Sequence, residues 1–145
     1  MKESLFDAVG GNATLVKVHK NFYDKVYAHP WLGQFFEGHC QQAIEARQTS
    51  FMTEKMGGPE YIGKPLKQAH ENMYITAELA ELRHQLLAAS LSEEGIDDEL
   101  ATRWLRIDSA FMQQTVKSSI DTFYKDYHFK YKQRIIIPKP TTEVS

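Results

Sequence analysis

A single cysteine, Cys40, stands in 145 residues, so no disulfide can form within the chain, and a reducing compartment suits it. No apolar run approaches the roughly 20 residues that a membrane-spanning helix needs. The opening residues, Met1 to Asp7, lack the apolar stretch of a signal peptide, and the expectation is a soluble cytoplasmic protein with no membrane span. An excess of basic residues is also missing: 17 Lys and Arg against 19 Asp and Glu leave a formal charge of −2. Phosphate backbones are held by basic faces, so nucleic acid is not expected as a partner. Absent too are a Gly-rich phosphate loop, a His-Glu-x-x-His pair, a Cys-x-x-Cys pair and a Gly-x-Ser-x-Gly elbow. Cys40 neighbours His39, but adjacent side chains do not make a catalytic dyad. No stretch alternates apolar and polar residues long enough for a convincing strand; the one β-like piece, Arg134 to Ile137, ends at Pro138.

What is present is helical periodicity. Hydrophobic residues make up 42% of the chain, enough for one domain to bury a real core without staples. Gly10-Gly11 breaks a short opening turn, and Asn12 is the expected N-cap of a helix over 13–28. Leu15, Val18, Phe22 and Val26 recur there at helical spacing, with Tyr23 beside them one turn after His19. Pro30 ends that helix, and an aromatic turn runs from Trp31 to Phe36. A further helix over 41–56 places Ile44, Gln48, Phe51 and Met52 on one face, bordered by Arg47. Gly57-Gly58-Pro59 stops it. A loop with Tyr61 and Gly63 leads to a short helix starting at Pro65 and carrying Leu66, Ala69, His70 and Met73. Thr76 caps the next helix, with Leu79, Leu82, Leu86 and Leu87 on its buried face. Asp97 caps the last long one, where Leu100, Trp104, Ile107 and Phe111 share a stripe. Past residue 120 aromatic and charged residues alternate. The expectation is a domain over 1–120 and a partly disordered extension over 121–145.

Chemistry is sparse on this scaffold. One helical face presents His70 among apolar residues, a second presents Gln48, and a third helix brings Tyr23. A buried tyrosine or glutamine needs a hydrogen-bond partner, and a neutral imidazole is a good ligand for iron. A haem between the faces answers both needs. Taken singly, each residue has a plainer reading. A lone histidine on an apolar face is more often a satisfied core or rim residue, a tyrosine more often core with its hydroxyl at the edge, and Phe35-Phe36 plain core. His19 and His39 read as surface or rim residues.

Taken in order, the motifs resemble the truncated haemoglobins, most closely their first group. The carriers are Leu5-Phe6-Asp7-Ala8-Val9-Gly10-Gly11, Asn21-Phe22-Tyr23, Leu32-Gly33-Gln34-Phe35-Phe36, Phe51, Gly57-Gly58-Pro59, Tyr61-Ile62-Gly63 and Leu66-Lys67-Gln68-Ala69-His70. The resemblance covers about residues 4–120. It implies an all-α, two-over-two helical sandwich around a haem b. It implies His70 as the proximal iron ligand, Tyr23 and Gln48 as distal hydrogen-bond donors, and Ile44 at the gate position. Phe35, Phe36 and Phe51 would pack on the haem, and Arg47, Tyr61 and Lys64 would meet its propionates. Leu66, Met73, Ile75, Leu79, Trp104 and Phe111 are the remaining expected cofactor contacts.

Two positions depart from relatives. Arg83 stands thirteen residues after His70, where members of the second and third groups carry tryptophan, and its direction is left open between the helix flank and the pocket edge. Ala80 stands where many relatives have Phe. The function implied is reversible binding of O2, NO and CO, with oxygen transport as one role. The alternative is a haem enzyme, an NO dioxygenase or a peroxidase, served by a separate reductase. A haem-free helical interaction module and a gas sensor working through a partner are the other readings.

Overall fold

The computed structural model describes residues 3–58, 75–116 and 136–137. Within them the chain is helical: α1 Leu5–Val9, α2 Asn12–Ala28, a 3-10 turn Leu32–Phe36, α3 Gln41–Lys55, α4 Ala77–Glu93, α5 Asp98–Met112 and a last 3-10 turn Gln113–Thr115. One parallel bridge joins Ile75 to Val116. α2 packs on α3 and crosses α4, and α4 packs on α5, giving a helical sandwich with α1 against α5. No helix among the described residues is long and apolar enough to cross a membrane.

Local chemistry sets the helix ends. The Ser4 and Thr76 hydroxyls accept from the amides of Asp7 and Leu79, each at 3.1 Å, and the Asp97 carboxylate accepts from the Glu99 amide at 3.1 Å. The junction of α1 and α2 differs from expectation. Gly11, not Asn12, is the N-cap, and Asn12 is already the first helical residue. The reason is the glycine pair. Gly10 closes α1 at φ 114° and Gly11 opens α2 at φ 75°, leaving no extended residue between them for a side-chain cap. Gly33 matters for position: a Cβ there would lie 2.6 Å from the Tyr27 carbonyl oxygen. Its absence lets the 3-10 turn sit against the end of α2 and brings Phe36 beside Tyr23.

The core is built on Leu15, Val18, Phe22, Val26, Met52, Leu79, Leu87, Leu91 and Trp104. Leu82 and Leu86, expected inside, are only half-buried at its margin. Ile137 packs against the same core, and its carbonyl accepts a 2.8 Å hydrogen bond from Trp31 Nε1.

His19 is the main correction inside. It is 1% exposed, not a rim residue. Its Nδ1 shares a 2.8 Å hydrogen bond with Thr49 Oγ1 of α3, and its ring meets Trp104 edge-on at 5.8 Å. Thr49 satisfies one ring nitrogen and so removes much of the cost of burying it. Burial, aided by the Arg83 charge, pushes its pKa down to about 3.

The unfolded chain therefore takes up a proton at His19 near the ordinary histidine value of 6.5, while the folded chain resists until about 3. The His19 contribution to stability is complete above 6.5 and is lost as pH falls below it, at up to about 1.4 kcal/mol per pH unit. Urea unfolding should show stability falling between pH 6 and 4, with a shallower fall in His19→Gln.

Candidate functional site

Tyr23 follows His19 by one turn of α2 and so faces the same interior. Its ring is 5% exposed and makes edge-on contacts with Phe22 at 4.8 Å and Phe36 at 5.9 Å. Phe36 also rests on Tyr27 at 5.3 Å. Burial raises the Tyr23 phenol to about 12, with the Arg83 cation pulling the other way. The hydroxyl is therefore protonated at neutral pH.

Arg83 reaches the core rather than the flank of α4. Its Nη1 donates to Asp108 Oδ2 of α5 at 2.5 Å, with the two side chains 14% and 3% exposed. Its guanidinium lies 5.0 Å from the centre of the Phe22 ring. Burial works against this cation, but the Asp108 carboxylate and the Tyr23 oxygen outweigh it and hold Arg83 above its ordinary value.

The other expected residues fall into groups. Ile44 and Gln48 of α3 are half-buried, Arg47 between them is exposed, and Phe35 and Leu79 are buried. No hydrogen bond joins Tyr23 and Gln48 in the described residues. Phe51 and Phe111 meet each other edge-on at 5.5 Å, with the Lys55 ammonium over both rings at 5.3 and 4.9 Å. Trp104 is wholly enclosed beside His19, and Ile75 is buried at its bridge to Val116. His70, Tyr61, Lys64, Leu66 and Met73 lie outside the described residues.

This helical arrangement can be set beside known proteins. The chain matches the Bacterial-like globin family over residues 4–118. It is 34% identical over 103 residues to a group 1 truncated hemoglobin of Mycolicibacterium paratuberculosis, covering 70% of this chain and 76% of that protein. This chain belongs to the truncated haemoglobin family. Among solved structures, the truncated hemoglobin of Tetrahymena pyriformis in its Fe(III) form is 25% identical, with a TM-score of 0.74 over 80% of this chain and all of that one. The group II truncated hemoglobin of Bacillus anthracis superposes as well, at 23% identity and a TM-score of 0.75 over 81% of this chain and 94% of that one. The backbone is thus shared across groups, and the resemblance to group 1 lies in the sequence.

Membership makes the chain a haem-binding globin, and its described residues fit that cofactor. Among them, no three His, Cys, Asp or Glu side chains gather as a metal-ion cage. A porphyrin brings its own four nitrogens and asks the protein for an axial ligand and an apolar cleft with few polar groups. Phe36, Ile44, Leu82 and Leu86 offer apolar surface left half-covered at the core margin. Tyr23 meets Phe36 edge-on at 5.9 Å, and Gln48 is half-buried one turn after Ile44 on α3.

Sequence reasoning missed Asp108 and left Arg83 open, although a signal was there. Leu79, Arg83, Leu87 and Leu91 recur every four residues, as do Leu100, Trp104 and Asp108. Opposite charges on two buried stripes have reason to pair. Removing one partner strands a buried charge, so Arg83→Leu should cost about 3–5 kcal/mol in urea unfolding, while Arg83→Leu with Asp108→Leu recovers most of it.

Proposed function

We propose that this globin reversibly binds O2, with NO and CO as further ligands, at the iron of a haem b held by His70, with Tyr23 and Gln48 as distal hydrogen-bond donors. The observation that carries this reading is the Tyr23 hydroxyl, buried beside Phe36 and kept protonated by burial. A haem, when bound, supplies a ferrous iron that takes diatomic gases reversibly.

The protein's part is electrostatic. A ligand that gains negative charge on binding, as oxygen does, is stabilised by a donated hydrogen bond in a site sheltered from water. Tyr23 has a proton to give. Gln48, half-buried on α3, offers a carboxamide N–H from a second helix. Ile44, one turn earlier, keeps the approach apolar. Carbon monoxide gains little charge and benefits less. Arg47, exposed on α3, suits a haem propionate, as do Tyr61 and Lys64 by residue type. Phe36 supplies a flat apolar contact. The site works in the cytoplasm, and residues 1–120 form the globin unit, with 121–145 as its extension.

Tyr23→Phe keeps the ring and removes only the hydroxyl. Stopped-flow measurement should show oxygen release at least about tenfold faster, the equivalent of roughly 1.4 kcal/mol, with carbon monoxide release changed much less. An unchanged oxygen off-rate contradicts the distal role of Tyr23.

A further inference from the structure

We infer that the C-terminal extension is a working part of the ligand site: Ile137, seated on Trp31, is a positioning residue that holds the turn carrying Phe36 and, through Phe36, the Tyr23 ring. The inference rests on the distal role of Tyr23 proposed above.

The contact lies beyond the stretch that matches the family, which ends at residue 118. Ile137 nevertheless packs against the globin core, and its carbonyl accepts the Trp31 indole N–H at 2.8 Å across 106 positions of sequence. Trp31 is 5% exposed, so water has little access to its ring. A buried indole N–H without an acceptor costs free energy, and the Ile137 carbonyl removes that cost. The neighbouring Ile136 is exposed, so it is Ile137 that makes the seat. Because the extension belongs to the same chain, it reaches Trp31 at a far higher effective concentration than a separate partner would.

From Trp31 to Tyr23 the path is one turn long. Trp31 opens the 3-10 turn Leu32–Phe36, and its carbonyl accepts from the Gln34 amide at 3.2 Å. Hydrogen bonds in a 3-10 turn are less well aligned than in an α-helix, so five such residues depend on side chains that clamp them. The clamps act at three points. At the start, the amides of Trp31 and Leu32 both donate to His29 Nδ1, each at 3.1 Å, and Ile137 holds the Trp31 ring. In the middle, Gly33 lies so close to the Tyr27 carbonyl that a Cβ there would be 2.6 Å from its oxygen. At the end, Phe36 rests on Tyr27 at 5.3 Å and meets Tyr23 edge-on at 5.9 Å. Without Ile137 the Trp31 side chain loses its clamp, and the turn is free to tilt about the Gly33 contact. Phe36 then no longer fixes the edge of the Tyr23 ring. The phenol samples more than one orientation, and its proton spends less time on the ligand.

The test uses the full chain loaded with haem: wild type, Ile137→Asp, Ile137→Val, Trp31→Phe, Val9→Ala, Tyr23→Phe, and Ile137→Asp in the Tyr23→Phe background. Ile137→Asp sets a carboxylate against the core and unseats the residue. Ile137→Val keeps the seat, and Trp31→Phe keeps a flat ring but removes the N–H. Val9→Ala loosens the core on α1 and controls for general loss of stability. Three readouts are taken: hydrogen exchange of the Trp31 indole N–H in the diamagnetic carbonmonoxy protein, the oxygen off-rate, and the C–O stretching frequency. In Ile137→Asp the indole N–H should exchange at least about tenfold faster than in wild type. Oxygen release should quicken at least about threefold, and the C–O stretch should gain a component at higher frequency. Trp31→Phe should change both ligand readouts in the same direction, whereas Ile137→Val and Val9→Ala should match wild type. In the Tyr23→Phe background, Ile137→Asp should alter oxygen release by less than about twofold, because the influence passes through the hydroxyl. The inference is overturned by an indole N–H that exchanges freely in wild type, by unchanged ligand readouts in Ile137→Asp, by the same shifts in Val9→Ala, or by equal effects with and without the Tyr23 hydroxyl. If Tyr23→Phe alone leaves oxygen release as in wild type, the distal assignment has failed and the inference falls with it. A normal Tyr23→Phe effect beside a silent Ile137→Asp overturns the inference alone. An intact Soret band in every variant separates these outcomes from loss of haem.

Discussion

Two opposite charges lie inside this protein where α2, α4 and α5 meet, and much of the interior is arranged around them. Burying Arg83 and Asp108 carries a desolvation cost that only close pairing and further hydrogen bonds offset. Pairing at 2.5 Å requires α4 and α5 to sit in one register. The cation also lies against the Phe22 ring, at 5.0 Å from its centre. The same charge helps keep His19 neutral one turn away on α2. Apolar replacement of a buried pair is often neutral or stabilising, whereas removing one partner alone leaves an uncompensated buried charge.

The apolar frame around this pair does a different job. Leu15, Val18, Met52, Leu87, Leu91 and Trp104 exclude water and so give every polar contact among them its strength. The Gly10-Gly11 junction and the close approach at Gly33 set the course of the chain at both ends of α2. The second of these brings Phe36 against Tyr23. Phe36, Ile44, Leu82 and Leu86 are half-covered apolar residues packed at the margin of that core. A flat, largely apolar cofactor suits such a margin.

Features that depend on near neighbours were legible in the sequence. The caps at Thr76 and Asp97, the stop after Ala28 and the turn through Phe36 all follow from residues a few positions apart. The opening of α2 was misread by one residue because two glycines in succession left no place for an Asn cap. Features that depend on distant partners were harder. His19 looked like a rim histidine because Thr49, which satisfies it, comes from another helix thirty residues on. Arg83 was ambiguous until Asp108 was placed opposite it. The role proposed for His70 rests on the ordered glycine motifs and the Phe-Tyr pair, not on its spacing, which describes many core histidines equally well.

The account turns on a haem anchored through His70. Its most direct test is titration of haem into purified protein and into His70→Gly, followed by the ferrous absorption spectrum with and without added imidazole. The account predicts a stoichiometric Soret band and a five-coordinate ferrous spectrum for the wild type. It predicts loss of that spectrum in His70→Gly and its return when imidazole fills the gap. A His70→Gly spectrum identical to wild type without imidazole would contradict it.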